Sequence, residues 1–146
     1  MVNIVIKRAQ MVYLTRRERF SAAHRMFRHD WTDDKNLEVF GKCSNPSWHG
    51  HNYILWVTVK GELNQANGFV ININTLKKII QDKIIEKIDH KNINTDVDFM
   101  KGKIATTENL AISIWDELKP SIEEAGISLH CVKIEETENN SIEYYG

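Results

Sequence analysis

The sequence predicts an α+β fold, an antiparallel four-stranded sheet with two helices packed on one face. Three observations carry this. Segments that alternate with period 2 stand near both ends of the chain. Two segments with helical spacing lie between them. The order strands, helix, helix, strands suits an antiparallel sheet better than repeating β–α units. The chain has 146 residues and 42% are hydrophobic, which suits one compact domain over residues 1–146.

From Met11 to Phe20 the run alternates weakly, with Val12, Leu14 and Phe20 on one side and most arginines on the other. This predicts a strand ending near Ser21-Ala22-Ala23-His24. Residues 25–48 are polar and irregular apart from Leu37, Val39 and Phe40, and predict a long loop, a feature usually tied to function. Between His49 and Gly61, His49, His51, Tyr53, Leu55, Val57 and Val59 share one strand face. Phe69-Val70-Ile71 ends this hairpin-like region.

Asn72 or Asn74 caps a helix running to about Ile88, with Leu76, Ile79, Ile80, Ile84 and Ile88 at helical spacing. Thr106 or Thr107 caps a second, where Glu108 in the first turn suits the helix dipole. Its stripe is Leu110, Ala111, Ile114, Trp115 and Leu118, and Pro120 helps to stop it. Leu129–Thr137 and Ser141–Tyr145 form a final hairpin around Glu138-Asn139-Asn140.

No stretch approaches the roughly 20 apolar residues of a membrane span. At the N-terminus, charges follow a very short apolar run, the reverse of a secretory signal, so a cytoplasmic protein is expected. Nineteen basic and twenty acidic residues give a net charge of −1, so no global field favours nucleic acid or an anionic membrane. Two cysteines make no disulfide framework. Cys131 reads as a buried filler in an apolar strand.

The strongest local signal is His49-Gly50-His51. Histidines at i and i+2 on a strand project from one face, and Gly50 lets another backbone approach. His24 ends a strand that can pair alongside. Three imidazoles with an open fourth position are what catalytic zinc requires, although spacing alone also fits ordinary packing. Cys43, in the loop leading to His49, reads as a fourth ligand, a nucleophile, a general base or a plain loop cysteine; a cation such as Lys42 would favour its thiolate. Asp89-His90 fits an acid–base pair or a polar helix terminus, and neighbours in sequence rarely bond side chain to side chain. Glu136 shares the apolar face of Val132 and Ile134, so it requires a partner. A half-buried carboxylate suits the paired N–H donors of a heterocycle such as a pterin; Glu135 faces solvent.

Taken together, these pieces resemble the 6-pyruvoyl tetrahydropterin synthase family. The strings are Phe20-Ser21-Ala22-Ala23-His24-Arg25, Asn36-Leu37-Glu38-Val39-Phe40-Gly41-Lys42-Cys43 and His49-Gly50-His51-Asn52-Tyr53, followed by Asp89-His90-Lys91-Asn92, Thr106-Thr107-Glu108-Asn109 and Glu136-Thr137-Glu138-Asn139-Asn140. They run in order from about Val12 to Tyr145. The resemblance implies a tunnelling fold (T-fold), with zinc (Zn2+) on His24, His49 and His51. It implies Cys43 as proton acceptor, Asp89 and His90 as proton relay, and Glu136 as an active-site glutamate. Glu108, with Thr106 and Thr107, matches the segment that anchors the pterin ring. It also implies a homohexamer with sites at subunit interfaces, so Cys43 and the Asp89-His90 pair of one site come from different chains.

The implied reaction is that of a carbon–oxygen lyase acting on phosphates, in tetrahydrobiopterin biosynthesis. It converts 7,8-dihydroneopterin triphosphate to 6-pyruvoyl tetrahydropterin and triphosphate by internal redox. Two alternatives stand beside it: 6-carboxytetrahydropterin synthase of deazapurine biosynthesis, whose cysteine typically lies closer to the paired histidines, and a non-catalytic zinc-binding module. Trp48 departs from the small residue frequent in the family. Met26–Trp31 matches poorly, so His29 receives no role, and the residues before Met11 lie outside the resemblance.

Overall fold

The computed structural model describes residues 9–146; the expectation drawn from the extreme N-terminus lies outside the described residues. Strand β1 (Met11–His24) pairs antiparallel with β2 (His49–Glu62) along its whole length, from Met11 opposite Glu62 to His24 opposite His49. Strand β4 (Ser128–Thr137) pairs with β2, and β5 (Asn140–Tyr144) with β4, both antiparallel.

The sheet has a fifth member, so the four-strand expectation is corrected. Strand β3 is only Lys91–Asn92, set parallel to β1 at Ala22 and Ala23, in the sheet order β3-β1-β2-β4-β5. Two residues are too few to alternate, which is why the sequence hid it. The side chain of Asn94 extends the pairing, accepting from the Arg25 N–H at 3.0 Å and donating to the Arg25 carbonyl at 2.8 Å.

The core lies on one face of this sheet. Phe20, Ala22, Tyr53, Leu55, Val57, Val59, Val132 and Ile134 supply it from the strands. Helix α4 (Thr107–Glu124) adds Leu110, Ala111, Ile114, Leu118 and Ile122. Thr106 is its cap, its hydroxyl accepting from the Asn109 N–H at 3.2 Å. Pro120 does not stop the helix. Leu118 and Ile122 on either side are fully buried, which outweighs one lost backbone bond, and the chain turns off only at Gly126, with φ +82°.

The first predicted helix starts at the Asn72 cap, whose side chain accepts from the Asn74 N–H at 2.9 Å. It runs as α2 (Ile73–Ile80), a π turn over Gln81–Ile85, and α3 (Glu86–Ile88). Leu76, Ile80, Ile84 and Ile88 are spaced four apart and all are fully buried. In a regular α-helix each step of four overshoots a turn by about 40°. The π turn underwinds the helix and returns the late residues to the core face.

The loop expectation also changes. Residues 25–48 contain α1 (Asp33–Phe40) and a 3-10 turn over Gly41–Ser44. The helix is fixed by its Thr32 cap and by buried Asn36, whose amide bonds the backbone of Arg28, Trp31 and Thr32, while Leu37 and Val39 stay exposed. An apolar period was therefore absent from the sequence. Phe69–Ile71 ends the hairpin region as a turn, closed by the Asn64 N–H donating to the Phe69 carbonyl at 2.9 Å. Among the described residues, no helix is long and apolar enough to cross a membrane.

Candidate active site

Even positions of β1 and odd positions of β2 face the helices, so register alone brings His24, His49 and His51 together. His24 lies opposite His49, and His51 opposite Ala22. Gly50 is required at this crossing, because a Cβ there would stand 2.8 Å from the Ala22 carbonyl oxygen. The ring centroids are 4.5, 5.1 and 5.0 Å apart, and one nitrogen from each ring lies within 4.8 Å of the others.

The donor chemistry fits a metal ion. The His24 Nδ1–H donates to the Ala105 carbonyl at 2.8 Å, which leaves the Nε2 lone pair directed inward. His24 Nε2, both nitrogens of His49 and His51 Nε2 are buried without a hydrogen-bond partner among the described residues. Buried polar atoms are seldom left so. Burial, with the neighbouring rings, holds the His24 and His49 pKa values below the usual imidazole range, so both present the neutral, ligating form.

Glu136 borders the same centre. Its Oε1 stands 3.6 Å from His24 Nε2 and 3.8 Å from His51 Nε2, and accepts from the Thr107 hydroxyl at 2.9 Å. The start of α4 thus supplies Ala105 to one ligand and Thr107 to the carboxylate. Thr106 is occupied as the cap, and Glu108 is exposed on the first turn, with no hydrogen bond or ion pair to the centre.

The 3-10 turn positions Cys43, whose carbonyl accepts from the Met26 N–H at 2.8 Å, two residues beyond His24. Burial and then the Glu136 charge push its thiol up. The expectation that Lys42 would lower it is not met: both causes acting on this thiol raise it. Trp48 precedes His49 with φ +63°, a left-handed conformation that costs a bulky residue about 1–3 kcal/mol. Its ring meets Phe27 edge-on at 6.4 Å.

Asp89 and His90 lie elsewhere, at the β3 edge of β1. Asp89 Oδ1 accepts from the Ser21 N–H at 2.8 Å, and its Oδ2 accepts from His90 Nδ1 at 2.9 Å. Sequence neighbours do bond here, because His90 adopts φ +58° and turns its ring back. His90 borders a cleft of about 460 Å³ that Ser21, Ala23, Gly50 and Asn52 line together with Ala22 and His51, so one of the three clustered histidines reaches the same cleft. The Ser21 amide holds the Asp89 carboxyl below its usual range.

The sequence reading passed over Tyr53 as a core residue, although its place two positions after His51 puts it on the ligand face. It also missed Asn36 and Asn94, whose side chains fasten the loops around the centre; their neighbours in space are far apart in sequence.

A family profile described as 6-pyruvoyl tetrahydropterin synthase matches residues 13–146. A Dictyostelium discoideum 6-pyruvoyl tetrahydrobiopterin synthase is 46% identical over 138 residues, covering 94% of this chain and 98% of its own. The Homo sapiens protein of that name is 44% identical over 133 residues, covering 91% and 90%. The solved Caenorhabditis elegans 6-pyruvoyl tetrahydropterin synthase superposes with a TM-score of 0.89 at 38% identity, over 97% of this chain and 99% of that one. Sheet, helices and histidine cluster define a T-fold protein with a three-imidazole centre able to bind a metal. The chain belongs to the 6-pyruvoyl tetrahydropterin synthase family.

Proposed function

We propose that this protein is a zinc-dependent 6-pyruvoyl tetrahydropterin synthase. It would convert 7,8-dihydroneopterin triphosphate to 6-pyruvoyl tetrahydropterin and triphosphate as one domain over the chain, in the cytoplasm. The observation that carries the reading is the cluster of three imidazoles with unpartnered ring nitrogens, two of them beside a carboxylate anchored by Thr107.

His24, His49 and His51 would hold the ion. Bound there, zinc supplies Lewis acidity that lowers the cost of removing protons from carbons beside the side-chain hydroxyls. Cys43 Sγ, as thiolate, takes such a proton. Glu136 accepts N–H donors of the pterin ring, with Thr107 fixing its orientation, and Thr106 and Glu108 complete the ring-binding segment. Asp89 orients His90, which relays protons at its Nε2. Since that pair sits at the β3 edge of β1 and bonds Ser21 rather than any of the three histidines, a homohexamer would let it serve the centre of an adjoining subunit. The reaction is an internal redox change, so no nicotinamide is consumed.

The test is to incubate zinc-loaded protein with 7,8-dihydroneopterin triphosphate and identify the product by mass. A pyruvoyl pterin with released triphosphate is expected. A carboxylated pterin with acetaldehyde would transfer the function to 6-carboxytetrahydropterin synthase, and an absence of turnover would leave a zinc-binding module.

A further inference from the structure

Cys43 is carried by the 3-10 turn Gly41–Ser44, and a helical turn that short does not hold its shape alone. Its carbonyls need donors, because the last carbonyls of a helical turn have none inside it. Two are met locally. The Ser44 hydroxyl donates to the Gly41 carbonyl at 2.8 Å, and the Asn45 N–H to the Lys42 carbonyl at 3.2 Å. The other two, on Cys43 and Ser44, are both met by the residues that follow His24. The Met26 N–H donates to the Cys43 carbonyl at 2.8 Å, and the Arg25 Nε–H to the Ser44 carbonyl at 2.6 Å.

The Arg25 side chain is only 14% exposed, and its ion pair does not explain this. The partner, Asp33, stands 3.5 Å away and is 88% exposed, a pairing that water largely screens. What seats the guanidinium is the ring of Phe27, 4.3 Å from its centre, on one face and the Ser44 carbonyl at Nε. A planar cation held in both ways keeps one orientation, which a lysine cannot reproduce. The Arg25 backbone is fixed as well, its N–H and carbonyl both bonded to the Asn94 side chain. The anchor of the turn is therefore rigid, and it adjoins His24, whose ring is set by the Ala105 carbonyl.

We propose that Arg25 is a positioning residue for Cys43, its guanidinium locking the Gly41–Ser44 turn to the end of β1 so that Cys43 keeps a fixed place relative to His24. A base that takes a proton from carbon tolerates little displacement, and a shift of about 1 Å can cost about 100-fold in rate. Arg25 acts through Cys43 and needs no contact with substrate. Its effect on turnover rests on the thiolate role given to Cys43 above, whereas its effect on the turn does not.

The test is Arg25→Ala in the full zinc-loaded chain, read by metal content, kcat and KM. Alongside these, the rate of Cys43 alkylation is measured in the metal-free parent and variant, with the Cys43 peptide resolved from that of Cys131 by mass. Expected are unchanged zinc, kcat lower by about 10- to 100-fold and KM within about threefold of the parent. The half-buried thiol, released with its turn, should alkylate at least about threefold faster. Arg25→Lys, which keeps a donor without the plane, should fall between parent and Arg25→Ala. Phe27→Leu, which removes the seat and leaves the bond, should speed alkylation by less. If Arg25→Ala does not fold, these two variants carry the test, and parental alkylation in both would overturn the proposal. Loss of zinc from Arg25→Ala would overturn it by showing that Arg25 holds His24. A raised KM with kcat kept would overturn it by making the guanidinium a substrate contact. Unchanged kcat with an active parent would overturn it and leave the proposed function standing. If the parent does not convert the pterin, faster alkylation in the variants preserves the positioning while the proposed activity fails; an unchanged alkylation rate overturns the positioning in either case.

Discussion

Two carboxylate–imidazole arrangements flank β1, and solvent treats them differently. At the helical face, Glu136 stands 3.6 Å from His24 and 3.8 Å from His51, beside ring nitrogens buried without partners among the described residues. At the β3 edge, Asp89 bonds His90 at 2.9 Å, and the His90 side chain is 81% exposed. The first arrangement keeps His24 and the adjoining His49 neutral by desolvation, so their lone pairs remain available to a cation. The second keeps a carboxylate charged through a backbone N–H and leaves its imidazole open to exchange protons with whatever enters the cleft. The same two functional groups thus suit ion binding or proton relay according to burial.

The sharpest break in this comparison is His49→Ala. It should abolish stoichiometric zinc, measured by elemental analysis, and lower turnover by at least about 100-fold, the effect of losing a Lewis acid worth several kcal/mol. Asp89→Asn should instead leave zinc at parental stoichiometry while turnover falls by about 100-fold; zinc loss in this variant would mean that the two regions are not separate. Gly50→Ala strikes the backbone between them. With its Cβ 2.8 Å from the Ala22 oxygen, it should cost about 2 kcal/mol in chemical denaturation, and an unchanged midpoint would mean that the strands yield freely.

A smaller effect concerns Cys43. Its thiol is raised by burial and by Glu136, so in metal-free protein alkylation should reach its midpoint at a higher pH than for a free thiol. Removing the carboxylate charge with Glu136→Gln should move that midpoint down. A midpoint that stays in place would place Glu136 beyond electrostatic reach of the sulfur.

Much of the layout was legible because period-2 alternation and local caps act within a few residues. The alternation of β1 and β2 fixed which histidines share a face, and Asn72 and Thr106 announced their helices. The apolar face of Val132 and Ile134 placed Glu136 half-buried, and Thr107 supplies its partner. Other features depend on groups far apart in the chain. The two-residue β3, the bond from Ser21 to Asp89 and the staple from Asn94 to Arg25 leave no periodic trace. Helix α1 stayed hidden because its buried residue is Asn36, which an apolar search passes over. The Cys43 environment was misread because Lys42 is adjacent in sequence, whereas the charge that acts is Glu136.

The π turn at Gln81–Ile85 has a consequence for how the chain tolerates length changes. A helix phased by one surplus residue behaves as a frame, and losing that residue would restore an ordinary α-helix with its far end turned by about 100° and drawn in by about 1.5 Å. Deleting exposed Lys83 should therefore leave a folded, helical protein in which Asp89 no longer meets the Ser21 N–H, measurable as full helicity by circular dichroism with loss of amide protection at Ser21. The aim of the Asp89-His90 pair would then be a property of residue count, set several positions before either side chain appears.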